Sequence, residues 1–117
     1  MQAKKFLKRF TDLENEIALK QGIINKLEQL GTDTAQITAY KKSLNDDLIK
    51  IEDIQREIML VIGQLSNSKL KLLVVKRYIC GETWAKVADD LNYSYVHVVH
   101  RLHPKALEEI EKILESM

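Results

Sequence analysis

His97, His100, His103 and Arg101 crowd into one short stretch, and no other part of the chain gathers side chains so suited to meeting a ligand. A histidine donates or accepts hydrogen bonds and gains charge as pH falls. An arginine carries a fixed charge and a planar fork of donors that matches phosphate and guanine. Residues 94–105 contain no Asp or Glu. A surface that meets phosphate has to lack carboxylates, because each would repel the backbone. The chemistry this set favours is recognition of a nucleic acid; the rival reading is an ordinary polar helix face. Metal binding fits poorly. The three histidines follow i, i+3, i+6 spacing, which spreads them over about 120° of a helix, with no carboxylate or cysteine beside them.

The local pattern that would present these residues is a pair of short helices, TWAKVADDLNYSYVHVVHRL over 83–102. Thr83 is a good N-cap. Trp84, Val87, Ala88 and Leu91 then repeat at helical spacing. Asn92-Tyr93 breaks the run, since Asn tolerates the left-handed conformation that ends helices. Ser94 caps a second helix, in which Tyr95, Val98 and Leu102 share one face. A break this short forces the helices to cross steeply, and Ala88 lets them approach closely. That is the logic of a helix-turn-helix, whose second helix lies in the DNA major groove. At 100° per residue, a core centred near Val98 and Leu102 leaves Val96, His97, His100 and His103 pointing outward, with Arg101 on the flank.

The segment over 65–114 resembles region 4 of bacterial sigma factors, and the related small regulators of phages and prophages of Gram-positive bacteria. Leu73, Arg77-Tyr78, Gly81, Trp84, Val87-Ala88, Leu91, Tyr93-Ser94, Val98, Arg101-Leu102-His103 and Ala106-Leu107 carry the resemblance. It covers less than half of the chain. It implies promoter DNA as a partner and, as in true sigma factors, leaves contact with RNA polymerase open. Nothing resembles region 2, so a complete sigma factor is not expected. One departure is Pro104. It removes an amide donor, crowds the carbonyl of His100 and pushes His103 from helical angles. A break or sharp kink is expected there.

The remainder of the chain reads as support. A composition rich in Leu, Ile, Lys and Glu, with one Pro and four Gly among 117 residues, favours helix nearly throughout. Phe6, Phe10, Leu13, Ile17, Ile24 and Leu27 form a heptad seam, which Lys20 interrupts. Leu30-Gly31 is a helix stop, and Thr32, Asp33 or Thr34 can cap the next helix. A second seam runs through Ile37, Tyr40, Leu44, Ile51, Ile54, Ile58, Val61 and Leu65, blunted at Asp47. The expected fold is all-α. Residues 1–65 form a long antiparallel, coiled-coil-like helical hairpin on the order of 40 Å in length. Residues 66–117 form the helix-turn-helix domain. Leu7, Ile23, Leu30, Ile49, Met59 and Ile62 lie off the seam and call for a further partner, either the C-terminal domain or a second copy. A homo-oligomer, with a dimer favoured, is expected through the hairpin, which would otherwise be a spacer.

Net charge is +1, but it is unevenly spread. Residues 1–65 sum to zero, residues 66–107 carry seven basic and three acidic side chains, and the tail over 108–117 is net −3. The positive field is therefore local to the motif. Lone Cys80 excludes an intramolecular disulfide and reads as a small buried hydrophobe. No apolar run reaches about 18 residues, so a cytoplasmic protein without membrane association is expected. There is no glycine-rich phosphate loop and no supported nucleophile set. Asp89-Asp90 point to different faces and make a poor acid/base pair. Neither an enzyme nor a cofactor is expected.

The function expected is sequence-specific binding of double-stranded DNA in transcription regulation. Ser94, Tyr95, Val96, His97, His100 and Arg101 would sit in or beside the major groove, with Lys86, Lys76 and Lys105 on phosphates. Lys69 and Arg77 could reach flanking phosphates, and Arg77 could instead partner Asp89 or Asp90. The alternatives are a DNA-packaging subunit like a phage small terminase, and a protein-only polymerase adaptor.

Overall fold

The computed structural model describes residues 2–31 and 33–117, and every regular element among them is helical. α1 (Gln2–Gln29) and α2 (Thr34–Ile62) form the expected hairpin. α3 runs as Ser68–Val74 and ends in a wide turn, Val75–Ile79, with π-type hydrogen bonding. α4 is Trp84–Leu91. α5 begins as Tyr95–His97, widens over Val98–Leu102 and continues as His103–Glu115.

The hairpin turns where the sequence says it should. Gly31 adopts φ +65°, a left-handed conformation that suits a residue without Cβ. Asp33 then caps α2, its carboxylate accepting from the amide of Ala35 at 3.0 Å. Thr32, another expected cap, lies outside the described residues. Phe10, Leu13 and Ile24 of α1 and Leu44, Ile54 and Ile58 of α2 are buried. The two residues that interrupt the seams face one another. Lys20 Nζ lies 2.6 Å from the Asp47 carboxylate and donates to Ser43 Oγ at 2.8 Å. The hydrogen bond to Asp47 holds the Lys20 ammonium above the usual lysine range, against the desolvation that lowers it. A slip in register would leave both charges against apolar neighbours, so the pair specifies one alignment of the helices.

At its open end the hairpin does not stand apart from the C-terminal helices. Ala3, Leu7 and Phe10, together with Ile58, Val61 and Ile62, join Leu70, Leu73, Val74, Tyr78, Val98, Ala106 and Ile110 in one apolar core. Leu7 and Ile62, off the seam by spacing, are buried by this docking. Polar contacts fix the same junction. The amide of Ala3 donates to Glu111 at 2.8 Å, and Ser66 donates to Glu109 from its amide and its hydroxyl. The Thr11 hydroxyl donates to the Tyr78 carbonyl at 3.2 Å. The change near residue 65 is thus a change of direction within one packed unit. Farther along, Leu19, Leu30 and Ile49 remain exposed, as does Leu60 on the outer side of the docked end.

Two local expectations are corrected. Cys80 is exposed. The wide turn closes α3 with Tyr78 in the core, and Cys80 follows as the cap, its amide donating to the Val75 carbonyl at 2.9 Å. Gly81 then reverses the chain at φ +69°. The break expected at Pro104 is absent. Leu102 and His103 keep helical dihedrals (φ −73°, ψ −43° and φ −62°, ψ −49°). The helix widens just before the proline, and the His103 amide reaches back five residues to the Val98 carbonyl. A π turn inserts one extra residue into the helical repeat, which is how an α-helix absorbs a local conflict without ending.

Candidate nucleic-acid interface

The turn between α4 and α5 is built from caps. The Thr83 hydroxyl accepts from the Lys86 amide at 3.2 Å, starting α4. Asn92 closes it at φ 60°, ψ 40°, with its amide donating to Ala88 and Asp89. The Ser94 hydroxyl accepts from the His97 amide at 3.1 Å, starting α5. Val87, Ala88 and Leu91 of α4 and Val98 of α5 are buried in the shared core. The direction of α5 is therefore set by packing on α4, and its outer face follows from that.

On that face Ser94, Tyr95, Val96, His100, Arg101 and Lys105 are exposed. Tyr95, grouped by spacing with Val98 and Leu102, does not follow them into the core: it retains 51% of its surface and Val96 retains 64%, whereas Val98 is fully buried. None of His100, Arg101 and Lys105 forms an ion pair among the described residues. His97 is half-buried and stacks on Tyr93 with ring centroids 4.9 Å apart. Lys69, a candidate phosphate contact by sequence, donates to the Tyr93 hydroxyl at 2.7 Å. Lys69, Tyr93 and His97 thus form a row that holds the imidazole at the edge of the open face.

The lysines of the flanks divide. Lys105 is free, but Lys76 lies 2.9 Å from the Asp90 carboxylate and 3.6 Å from that of Glu82. Its hydrogen bond to Asp90 holds the ammonium above, and the carboxyl below, their usual ranges. Lys86 shares the same carboxylate at 3.4 Å and stays exposed. Asp90 therefore neutralises part of the field expected from this region. Arg77 partners neither Asp89 nor Asp90. It donates to the Glu82 carbonyl at 3.0 Å and lies over the Trp84 ring at 4.7 Å, a cation–π contact that braces the loop between α3 and α4.

His103 departs most from its expected place. It faces inward, its ring 4.4 Å from Trp84 and its Nε2 2.7 Å from the Tyr78 hydroxyl. The wide turn at Val98–Leu102 is the reason. Counting 100° per residue through it overlooks the extra residue, so positions after the turn are rotated relative to those before it. The three histidines consequently diverge: one at the edge of the face, one on it and one turned inward, half-buried against Trp84 and Tyr78. No group of three His, Cys, Asp or Glu among the described residues could hold a metal ion.

Burial holds the imidazole of His103 down to about 4, with the charges of Lys4 and Arg77 adding to the effect. In the unfolded chain the ring titrates near its ordinary value of about 6.5. The folded state thus loses stability as pH falls from about 6.5 to about 4, because only the unfolded state takes up the proton in that window. Because the ring is only half-buried and solvent screens part of the effect, the accumulated loss at pH 4 is on the order of 1–2 kcal/mol from this one group. Denaturant melts of the His103→Phe variant check this: the variant is expected to show a shallower fall across the same window.

No helix among the described residues is long and apolar enough to cross a membrane. No protein-family model matches the chain, and no curated protein or solved structure gives a significant match.

Proposed function

We propose that the chain binds duplex DNA through the outer face of α5 and acts as a transcription regulator of the phage and prophage type that its C-terminal segment resembles. One observation carries this reading. A serine-capped helix, fixed against a tryptophan-bearing partner helix, turns Tyr95, Val96, His100 and Arg101 to solvent with no carboxylate over 94–105. Arg101 and His100 offer donors to base edges, and Val96 offers a methyl contact to thymine. Ser94 and Lys105 lie at the two ends of that face, where the phosphate strands would pass. His97, held by Tyr93, and Lys86, exposed beside Asp90, contribute at its edge. Lys76 is a weaker candidate than its sequence position suggests, because two carboxylates already surround it.

Equilibrium titration with duplexes selected from random or phage genomic DNA tests the reading. Binding is expected to be saturable, with log Kobs falling linearly as log salt rises, at a slope of about −0.9 per phosphate contacted. Absence of binding even at low salt would instead favour a protein-only polymerase adaptor, which the Lys76–Asp90–Lys86 pairing supports by weakening the local field. A dimer through the far part of the hairpin, where Leu19, Leu30 and Ile49 are exposed, belongs to the same proposal. A ring of eight or more copies in solution would point to DNA packaging.

A further inference from the structure

The first nine residues contain Lys4, Lys5, Lys8 and Arg9 and no acidic side chain. In the sequence this run disappears into a hairpin of zero net charge. In the fold it is brought to the helix-turn-helix. Ala3 is fully buried, and its amide donates to Glu111 of α5 at 2.8 Å, so the first turn of α1 is docked rather than loose. Lys4 comes close enough to act electrostatically on His103, the residue that follows the wide turn of α5. Lys8, one helical turn on, lines a cleft of about 260 Å³ with Thr11, Asp12, Arg77, Tyr78 and Gly81, at the loop that leads into α4. Lys4 and Lys8 are both exposed, and neither forms an ion pair among the described residues. Asp12 in the cleft and Glu111 beside the first turn of α1 offset part of this charge, so the surface is less uniformly basic than residues 94–105.

These observations combine with the fate of Lys76. The cation expected on phosphate from α3 is engaged by Asp90 and Glu82, while two unpaired cations from the opposite end of the chain stand beside α5 and the loop before α4. We propose that Lys4 and Lys8 of α1 form a second phosphodiester-binding surface, which holds the duplex strand flanking the one that α5 reads. This rests on the DNA-binding reading and adds its partner surface. It also gives the hairpin a role beyond spacing, since its open end would touch the DNA directly. Because phosphate contacts carry no sequence information, this surface would add affinity and fix orientation without altering specificity.

The test uses the full chain and a mixed-sequence 30-bp duplex, titrated over a range of salt. K4Q/K8Q is compared with wild type and with K26Q/K42Q, a control of equal charge change whose residues are exposed and lie nearer the hairpin tip. Thermal melts verify folding of each. For K4Q/K8Q the salt slope is expected to become shallower by about 1.8, with affinity reduced about tenfold or more near physiological salt. The control should match wild type. Wild-type slope and affinity in K4Q/K8Q, or an equal loss in the control, would overturn the proposal while leaving DNA binding by α5 intact. Failure of wild type to bind any duplex would overturn both.

Discussion

Replacing His100 and Arg101 together with alanine is expected to cut discrimination between a selected site and random DNA about a hundredfold. A well-placed arginine on a guanine contributes about 1–3 kcal/mol of discrimination. Together the two truncations should cost on the order of 3 kcal/mol at the cognate site, or about a hundredfold in affinity. Both side chains are exposed, and Arg101 forms no ion pair among the described residues. Stability should therefore change by no more than about 0.5 kcal/mol, and helicity not at all. Competition binding on selected and scrambled duplexes separates this result from that expected for Lys4 and Lys8. Loss at α5 should be specific to the cognate sequence, whereas loss at α1 should be equal on both. A double variant that keeps full discrimination would remove α5 from base reading.

Leu7→Ala should destabilise the whole chain as one unit. Leu7 is fully buried where α1 meets the C-terminal helices. Truncation of such a side chain costs about 2–5 kcal/mol through lost burial and the cavity left behind. The melting temperature should fall by roughly 10 °C for a chain of this size. Trp84, the sole tryptophan, sits in the helix-turn-helix and is remote from residue 7 in sequence. Its fluorescence transition and the far-UV circular dichroism transition are expected to shift together. An unshifted Trp84 transition beside an early helical one would mean that the two halves melt separately and do not share a core.

The helices and their caps were legible because they depend on local chemistry. Gly31, Asp33, Thr83, Asn92 and Ser94 act within a few residues of themselves, and each ends or starts a helix where its type requires. The seams were legible because their period is that of the coiled-coil repeat. The pairing of Lys20 with Asp47 was not, since it needs the register between two helices, which neither helix contains alone. Phase was lost at the wide turns. Val98–Leu102 carries an extra residue that no periodicity announces, and because of it His103 turns from the open face toward Trp84 and Tyr78. Pro104, immediately after that turn, was the one visible sign; its missing amide suggested a break, and the helix met it by widening. Cys80, after the equivalent turn in α3, moved the other way. The placement of Lys4 and Lys8 beside α5 is tertiary altogether. It follows from the docking of Ala3 and Leu7, and a charge count along the chain averages it away.

The side of α5 that carries Val96 and His100 is the surface on which the functional reading depends. Recording the backbone amide spectrum of the chain during addition of a selected duplex tests it most directly. The largest perturbations are expected over 94–101, weaker ones at Lys4, Lys8 and Lys105, and none at the hairpin turn. A duplex that binds but leaves 94–101 unperturbed would contradict the assignment of α5 as the reading helix.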